Sequence, residues 1–579
     1  MDKRAIIAFV LIGIILFFYG DYARWVSPPK PKPAVDSTAV VESIQTDREP
    51  IAARTSPGAL VALDPLAPAA EVVRTDSLPV VPKRLITVET ERYRMVISSD
   101  GGQVKSLLLK PYGRYLKEGV ELIPSAPGAR PGYRFWTIEG PLETASLAFI
   151  VEGDEDEDDI ERQVRGSYTE TLNLYAPLGQ DRGIRLTYTF SGDQFTFLTH
   201  AEGVGMGATL VRDYVEAIWS GGLAYTEADT AQDQAYSKAY TFFAGDVLEE
   251  QKLETKKSVA SNPSSGQTRW GAVRTKYFMV ALLPETASAV GSTMESRLDS
   301  TYSGKFPPNR LGVSLKLPLA VGTPTTPVRM FVGPLDTKVL KEIDPTLTKM
   351  MDWGWVVFVP FSKAILWGLK ALYSVIPNYG ICIIIFSILI KILIWPLTHK
   401  SAVSMAGMQR IQPKLVVLRE KHKADPQRLN KEMMKLYKEE KINPMGGCLP
   451  MLLQLPLLYA LFIVFRSTIE FRQAPFFGWI TDLSMPDVVW TMPFSIPLYG
   501  NQFAILPWLM AISTYYQSKS TITDPNQKMM IYLMPVMMLV FFNGFPSGYN
   551  LYFTLFNVWT VLQQKITPLP TAATPEPAK

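Results

Sequence analysis

Apolar positions along this chain keep two different rhythms. Across residues 85–333 they recur every second residue, as in Ile86-Thr-Val88-Glu-Thr90, Tyr93-Arg-Met95-Val-Ile97 and Val313-Ser-Leu315-Lys-Leu317. A period of two puts alternate side chains on one face of a strand, so the pattern predicts short β-strands with a turn at Asp100-Gly-Gly102. No helical patterns alternate with these strands, which favours a sandwich-like all-β domain over a parallel α/β sheet. Residues 336–350 read as a short helix leading out of it.

After Trp353 the rhythm gives way to long apolar runs. Residues 353–376 are apolar on one side and carry Lys363 and Lys370 on a common helical face, the pattern of an amphipathic helix lying in a membrane interface. Runs at 379–397, 448–465, 503–516, 529–545 and 549–562 predict five spans, against a need of about 20 residues each, with shorter ones tolerated by local thinning. A further run, 6–19, follows Lys3 and Arg4, and its bulky exit lacks a small-x-small cleavage site, so it reads as an uncleaved anchor. The chain thus divides into an anchor (1–26), a Pro-rich tether (27–83), a β domain (84–350) and an interfacial helix (353–376). A first core span (378–397), a basic loop (398–442), a second span (443–466) and an outer loop (467–497) follow. The last parts are a third span (498–517), a short inner loop (518–528), spans at 529–545 and 549–565, and a tail (566–579). The fold class expected is a polytopic α-helical membrane protein, anchor plus five-helix core, with a large all-β domain.

Charge fixes the direction of threading. Residues 398–442 hold eleven Lys or Arg against five acidic residues, and basic loops stay in the cytosol. The basic N-terminus gives the same parity: both termini inside and the β domain outside. The loop is itself patterned. Met405, Met408, Gln412, Leu415 and Leu418 form one helical stripe and Leu429, Met433 and Leu436 another, with Asp425-Pro426 as a helix start between them. An αα-hairpin follows, its stripes packing together or offering a soft methionine surface. Its cations, among them Arg410, Lys414, Arg419 and Lys435, suit ribosomal RNA, anionic lipid or topology alone.

Composition narrows the chemistry. A net charge of +4 on 579 residues gives no ground for DNA as a partner, and three histidines with two cysteines cannot assemble the usual metal-ligand spacings. Eight acidic residues in 152–161 lack the spacing of a calcium loop and read as a solvated loop. No HExxH pattern, GxSxG elbow or phosphate-cradling glycine loop appears, so the chain is read as a non-enzyme without cofactor or metal.

The residue that stands out is Lys391, a cation inside an otherwise apolar span. An intramembrane charge costs several kcal/mol unless hydrated or paired, so it faces a polar cavity or snorkels toward the span's end. Ser387 shares its face one turn earlier, and Gln454, Gln517, Asn543, Asn557 and Gln563 add polar groups in other spans. No carboxylate lies within the five runs, which speaks against a proton- or sodium-coupled transporter.

Several motifs carry a resemblance: Asn443-Pro-Met-Gly-Gly-Cys-Leu-Pro-Met-Leu-Leu-Gln-Leu-Pro456, Phe471-Arg-Gln-Ala-Pro475, Thr523-Asp-Pro525, Met534-Pro535 and Phe545-Pro-Ser-Gly548. Together they resemble the YidC/Oxa/Alb family of membrane-protein insertases over residues 353–565. Trp270-Gly-Ala-Val-Arg-Thr-Lys-Tyr-Phe278 and Phe331-Val-Gly-Pro334 resemble the periplasmic domain of its Gram-negative members. The resemblance implies a β-supersandwich periplasmic domain, a bacterial inner-membrane location and a groove open to cytosol and lipid. It implies nascent membrane proteins and lipids as partners, with the Sec translocon and the ribosome as further candidates. The family's groove cation is usually arginine; Lys391 at the matching position keeps the charge and loses the bidentate fork. Ser387 matches a small hydroxyl position, and Tyr552 and Phe553 match an aromatic pair of the last span that lines the path of an inserting segment. The rival readings are a membrane-tethered β-sandwich binding protein for a sugar or polymer, and an ion-conducting channel.

Overall fold

The computed structural model describes residues 81–566 except 111–118, 125–129, 155–158, 180, 254–258, 298–309, 320–323, 423–424, 441–448 and 522–527. The expected anchor, tether and tail lie outside the described residues. The alternating sequence folds as its period dictates: in Tyr93–Ser98 the side chains of Tyr93, Met95 and Ile97 are fully buried while Arg94 is exposed. Gly101 and Gly102, at φ +83° and +61°, occupy the left-handed conformations the predicted turn requires. Five strands form one sheet in the spatial order Val120–Glu121, Gln103–Leu109, Tyr93–Ser98, Leu85–Glu89, Asp159–Gln163. A second sheet of fourteen strands has Val259–Arg274 paired with Phe278–Pro284 and Ala289–Arg297 near its middle. Their apolar faces share one core containing Phe135, Phe149, Tyr188, Phe190, Trp219 and Trp270.

Two local departures have physical causes. The end of the acidic run becomes a strand, not a loop, because Ile160 is fully buried and Leu85–Glu89 accepts Asp159–Gln163 as a parallel neighbour. The exit helix is broken in two: α1 within the β domain is Thr230–Tyr236, and the exit consists of α2 (Thr337–Ile343) followed by a 3₁₀ turn, Pro345–Met350. Asp344, in extended backbone at φ −155°, ends α2 and caps the turn by accepting from Thr346 N. Its neighbour Pro345 has no N–H with which to continue the first helix.

The remainder is helical: α3 (Val359–Val375), α4 (Tyr379–Arg410), α5 (Gln412–Lys421), α6 (Pro426–Glu439), α7 (Leu449–Ser467), α8 (Ile505–Thr521), α9 (Lys528–Phe542) and α10 (Ser547–Ile566). By length and composition two helical stretches among the described residues could each cross a membrane, Val356–Val375 and Tyr379–His399, and shorter apolar ones are Gln454–Ser467 and Met529–Phe542. Helix α4 runs 32 residues, through Pro396 and well past the predicted end of the span. On the face that Lys363 and Lys370 of α3 share, Lys370 donates to Glu470 Oε1 at 2.8 Å, and Lys363 sits over the Trp353 ring at 5.7 Å. The third predicted span starts late, because Val488–Ile496 and Gly500–Ala504 form a β-hairpin ahead of α8.

A buried charged joint ties the two halves together. Arg472 Nε donates to Glu227 Oε1 at 2.6 Å, with the two side chains 3% and 6% exposed. Tyr277 donates to the Arg466 carbonyl at 3.3 Å, and Ile469 enters the β-domain core. Beside them Lys276 is wholly buried and donates to Gln232 Oε1 at 2.8 Å. Burial pushes its ammonium down to about 8, although Glu227, Asp233 and Asp482 pull the other way.

Candidate functional site

Helices α4, α8 and α10 meet along a seam of polar side chains inside an apolar bundle. Lys391, 5% exposed, reaches sideways across to α10, where its ammonium donates to Thr560 Oγ1 at 2.8 Å and lies 4.6 Å from the centre of the Phe556 ring. Among the described residues no carboxylate stands within 4.0 Å of it. One turn back, Ser387 is fully buried; it accepts from Trp559 Nε1 at 3.1 Å and donates to the Ile384 carbonyl at 2.7 Å.

The seam continues across α8. Asn557 Nδ2 donates to Ser513 Oγ at 3.1 Å and to Thr514 Oγ1 at 2.9 Å, and Gln563 Nε2 donates to Thr398 Oγ1 at 3.4 Å. Tyr552 is fully buried, and its hydroxyl has no hydrogen-bond partner. Phe553 is half-buried and stacks on Phe542 at 5.9 Å. Gln454 and Gln517 are half-buried as well. The structure therefore brings Lys391, Ser387, Asn557 and Gln563 into one polar seam. It adds Thr560, Trp559, Ser513 and Thr514, which sequence reading passed over. Thr560 could have been found by helical spacing, three residues beyond Asn557 on the same helix.

The expected basic hairpin forms from α5 and α6. Asp425 caps α6 by accepting from Arg428 N at 3.0 Å, with Pro426 in the first turn as its sequence predicts. Ile411, Leu415, Met433 and Tyr437 make a small core joined by Met408, Leu418, Leu429 and Leu436, so these stripe positions pack on each other. The Met405 side chain lies outside the described residues. Arg410 and Lys414 are exposed and both donate to Glu440, at 3.0 and 2.5 Å. Lys414 and Arg410 thereby hold that carboxyl below its ordinary range. Arg419 is half-buried, and Lys435 pairs with Glu439 at 3.9 Å. Among the described residues no group of His, Cys, Asp and Glu could hold a metal ion.

Comparison with known proteins gives two family matches in tandem. Residues 85–367 match the YidC periplasmic domain and residues 371–571 match the 60 kDa inner membrane protein. A membrane protein insertase YidC of Chlorobaculum tepidum is 33% identical over 581 residues, covering 97% of this chain and 94% of the relative. Its counterpart in Chlorobaculum parvum is 31% identical with the same coverage. A crystal structure of an active YidC insertase with its first transmembrane domain resolved aligns at 17% identity and a TM-score of 0.35, covering 85% of this chain and 95% of that one.

Proposed function

Because the chain belongs to the YidC family of inner membrane proteins, we propose that it is a membrane-protein insertase, moving hydrophobic segments of nascent proteins from the cytosol into the bilayer. The architecture proposed is an N-terminal anchor and a five-helix core, with both termini cytosolic and the β domain a periplasmic supersandwich. The work is done at the seam of α4, α8 and α10. The observation that carries this is the state of Lys391: a cation enclosed by the bundle, held by the Thr560 hydroxyl, with no described carboxylate close enough to neutralise it. A cation kept in that state is available to the polar flank of a passing segment, for which it supplies a temporary partner in place of water.

The apolar part of the segment then leaves for lipid beside Tyr552 and Phe553. Its transfer provides the driving force, on the order of 25 cal/mol per Å² of apolar surface removed from water. No nucleotide is consumed by the chain. The basic hairpin is the surface for ribosome contact, and the Sec translocon is a further partner in assembly.

The test is insertion of acidic-flanked model substrates by full-length protein in vesicles. Lys391→Arg keeps the charge and is expected to retain most insertion. Lys391→Ala is expected to slow it about tenfold, equivalent to roughly 1.4 kcal/mol, and Lys391→Glu more than that. Equal insertion by all three variants and wild type would remove the cation from the mechanism.

A further inference from the structure

The β-hairpin ahead of α8 has no assigned role, and its composition is unusual for an exposed sheet. Residues 488–518 contain no Asp, Glu, Lys, Arg or His. Edge strands in water are ordinarily blunted by charge, yet this two-stranded sheet exposes Trp490 (56%), Phe494 (59%), Ile496 (41%) and Leu498 (58%). Its tip is a turn in which Tyr499 N donates to the Ile496 carbonyl at 3.2 Å, with Pro497 and Leu498 as the central residues.

Leu498 has φ +68°. The third position of such a turn favours glycine, and an L side chain there costs on the order of 1–2 kcal/mol. The strained backbone presents a leucine side chain that the protein leaves 58% exposed. Backbone outliers of this kind persist where the side chain has a use.

The hairpin is also held in place. Asn543 Nδ2 donates to the Tyr499 and Gln502 carbonyls at 3.1 and 2.7 Å, fixing the hairpin to the segment just beyond α9. Asp487 Oδ2 accepts from Ile505 N, Leu506 N and Trp479 Nε1 at 3.0, 2.8 and 3.0 Å, fixing it to the start of α8. The uncharged surface passes directly into α8, whose Trp508, Leu509, Ile512 and Tyr516 are exposed in turn.

We propose that this hairpin is a lipid-docking element seated at the headgroup–acyl boundary of the outer leaflet, with Trp490, Phe494 and Leu498 as its inserting side chains. Aromatic and aliphatic residues without charge are the composition of that boundary. The open edges of the sheet set its depth, because unpaired backbone groups are not tolerated in the hydrocarbon core. The inference rests on α8 crossing the membrane, as the proposed function has it.

The experiment uses full-length protein with Cys382 and Cys448 replaced by alanine and one environment-sensitive fluorophore on an introduced cysteine. The vesicles are phosphatidylethanolamine and phosphatidylglycerol, with a doxyl quencher high on the acyl chain; acrylamide is the aqueous quencher. Position 498 is expected to be quenched by doxyl and shielded from acrylamide, and exposed Tyr168 of the β domain the reverse. Position 512 on α8 separates the two claims. Doxyl quenching at 512 with aqueous behaviour at 498 overturns the hairpin's role alone; aqueous behaviour at both overturns the span and the hairpin together. Shielding at 498 that appears only while a hydrophobic client is being inserted makes the occupant a client peptide and overturns the lipid assignment.

Discussion

The β domain and the helical core place their polar and apolar groups in opposite ways. In the β domain, aromatic and aliphatic side chains fill the interior, and outside the joint charges pair nearer the surface, as in Arg185–Glu152 at 3.1 Å and Lys238–Glu250 at 2.7 Å. In the core, Trp367, Ile392, Leu393 and Val536 point outward, exposed by 75, 61, 73 and 58%, while Lys391, Ser387 and Asn557 are inside. Water drives the first arrangement through apolar burial. In lipid that force between helices vanishes, and packing with interhelical hydrogen bonds takes over. One chain is thus organised for two solvents, and its hydrogen-bonded polar groups should carry different weight in each.

The joint between them is where neither solvent reaches, so breaking it should have the largest effect. Arg472→Ala leaves Glu227 buried without its cation, at a cost of about 3–5 kcal/mol. Thermal unfolding of the full chain in detergent would read this as a lower midpoint, and limited proteolysis as earlier release of the β domain. Replacing both partners, with Glu227→Gln and Arg472→Met together, should recover most of the loss. A loss below about 1 kcal/mol for Arg472→Ala would mean that the pair is hydrated and that the halves are not joined through it.

Lys276, next to that pair, gives the comparison a pH axis. Its pKa is about 8 in the folded protein against an ordinary 10.5. Between these values the unfolded chain holds a proton that the native chain has shed, so stability rises with pH, by on the order of 1 kcal/mol per unit at most. Below pH 8 both states are protonated, and Lys276 adds no slope. Stability measured in denaturant at pH 7.5 and 9.5 should therefore rise more in wild type than in Lys276→Met. Parallel slopes would place water around the ammonium.

How far these features could be read in advance depends on their range in sequence. The strands of the β domain and the capped start of α6 were legible, because period-two alternation and an Asp-Pro pair act within a few residues. Lys391 stood out for a similar reason, a charge among apolar neighbours. The hairpin at 488–504 was read partly as loop and partly as span. An uncharged run does not distinguish strand from membrane helix, although Pro493, Pro497 and the β-branched residues were signals against a helix there. The Arg472–Glu227 pair was beyond reach: its partners are 245 positions apart, and no local pattern encodes their meeting. Both lie near segments of ordinary polarity, and Arg472 was visible only as part of a family motif.

The smallest effect is expected within the seam. Asn557→Leu removes two hydrogen bonds from a buried side chain while keeping its branching and number of heavy atoms. In a water-soluble core, loss of one partner commonly strands the other, at about 1–3 kcal/mol. Here Ser513 and Thr514 also donate to the Met510 carbonyl, each at 2.8 Å, so neither hydroxyl is left without a bond. Interhelical hydrogen bonds in lipid average roughly 0.6 kcal/mol and reach about 1.7. Unfolding of Asn557→Leu in a detergent titration should accordingly fall inside that interval. A loss of 3 kcal/mol or more would show that the seam is as cooperative as the β-domain core, and would remove the distinction between the two regions.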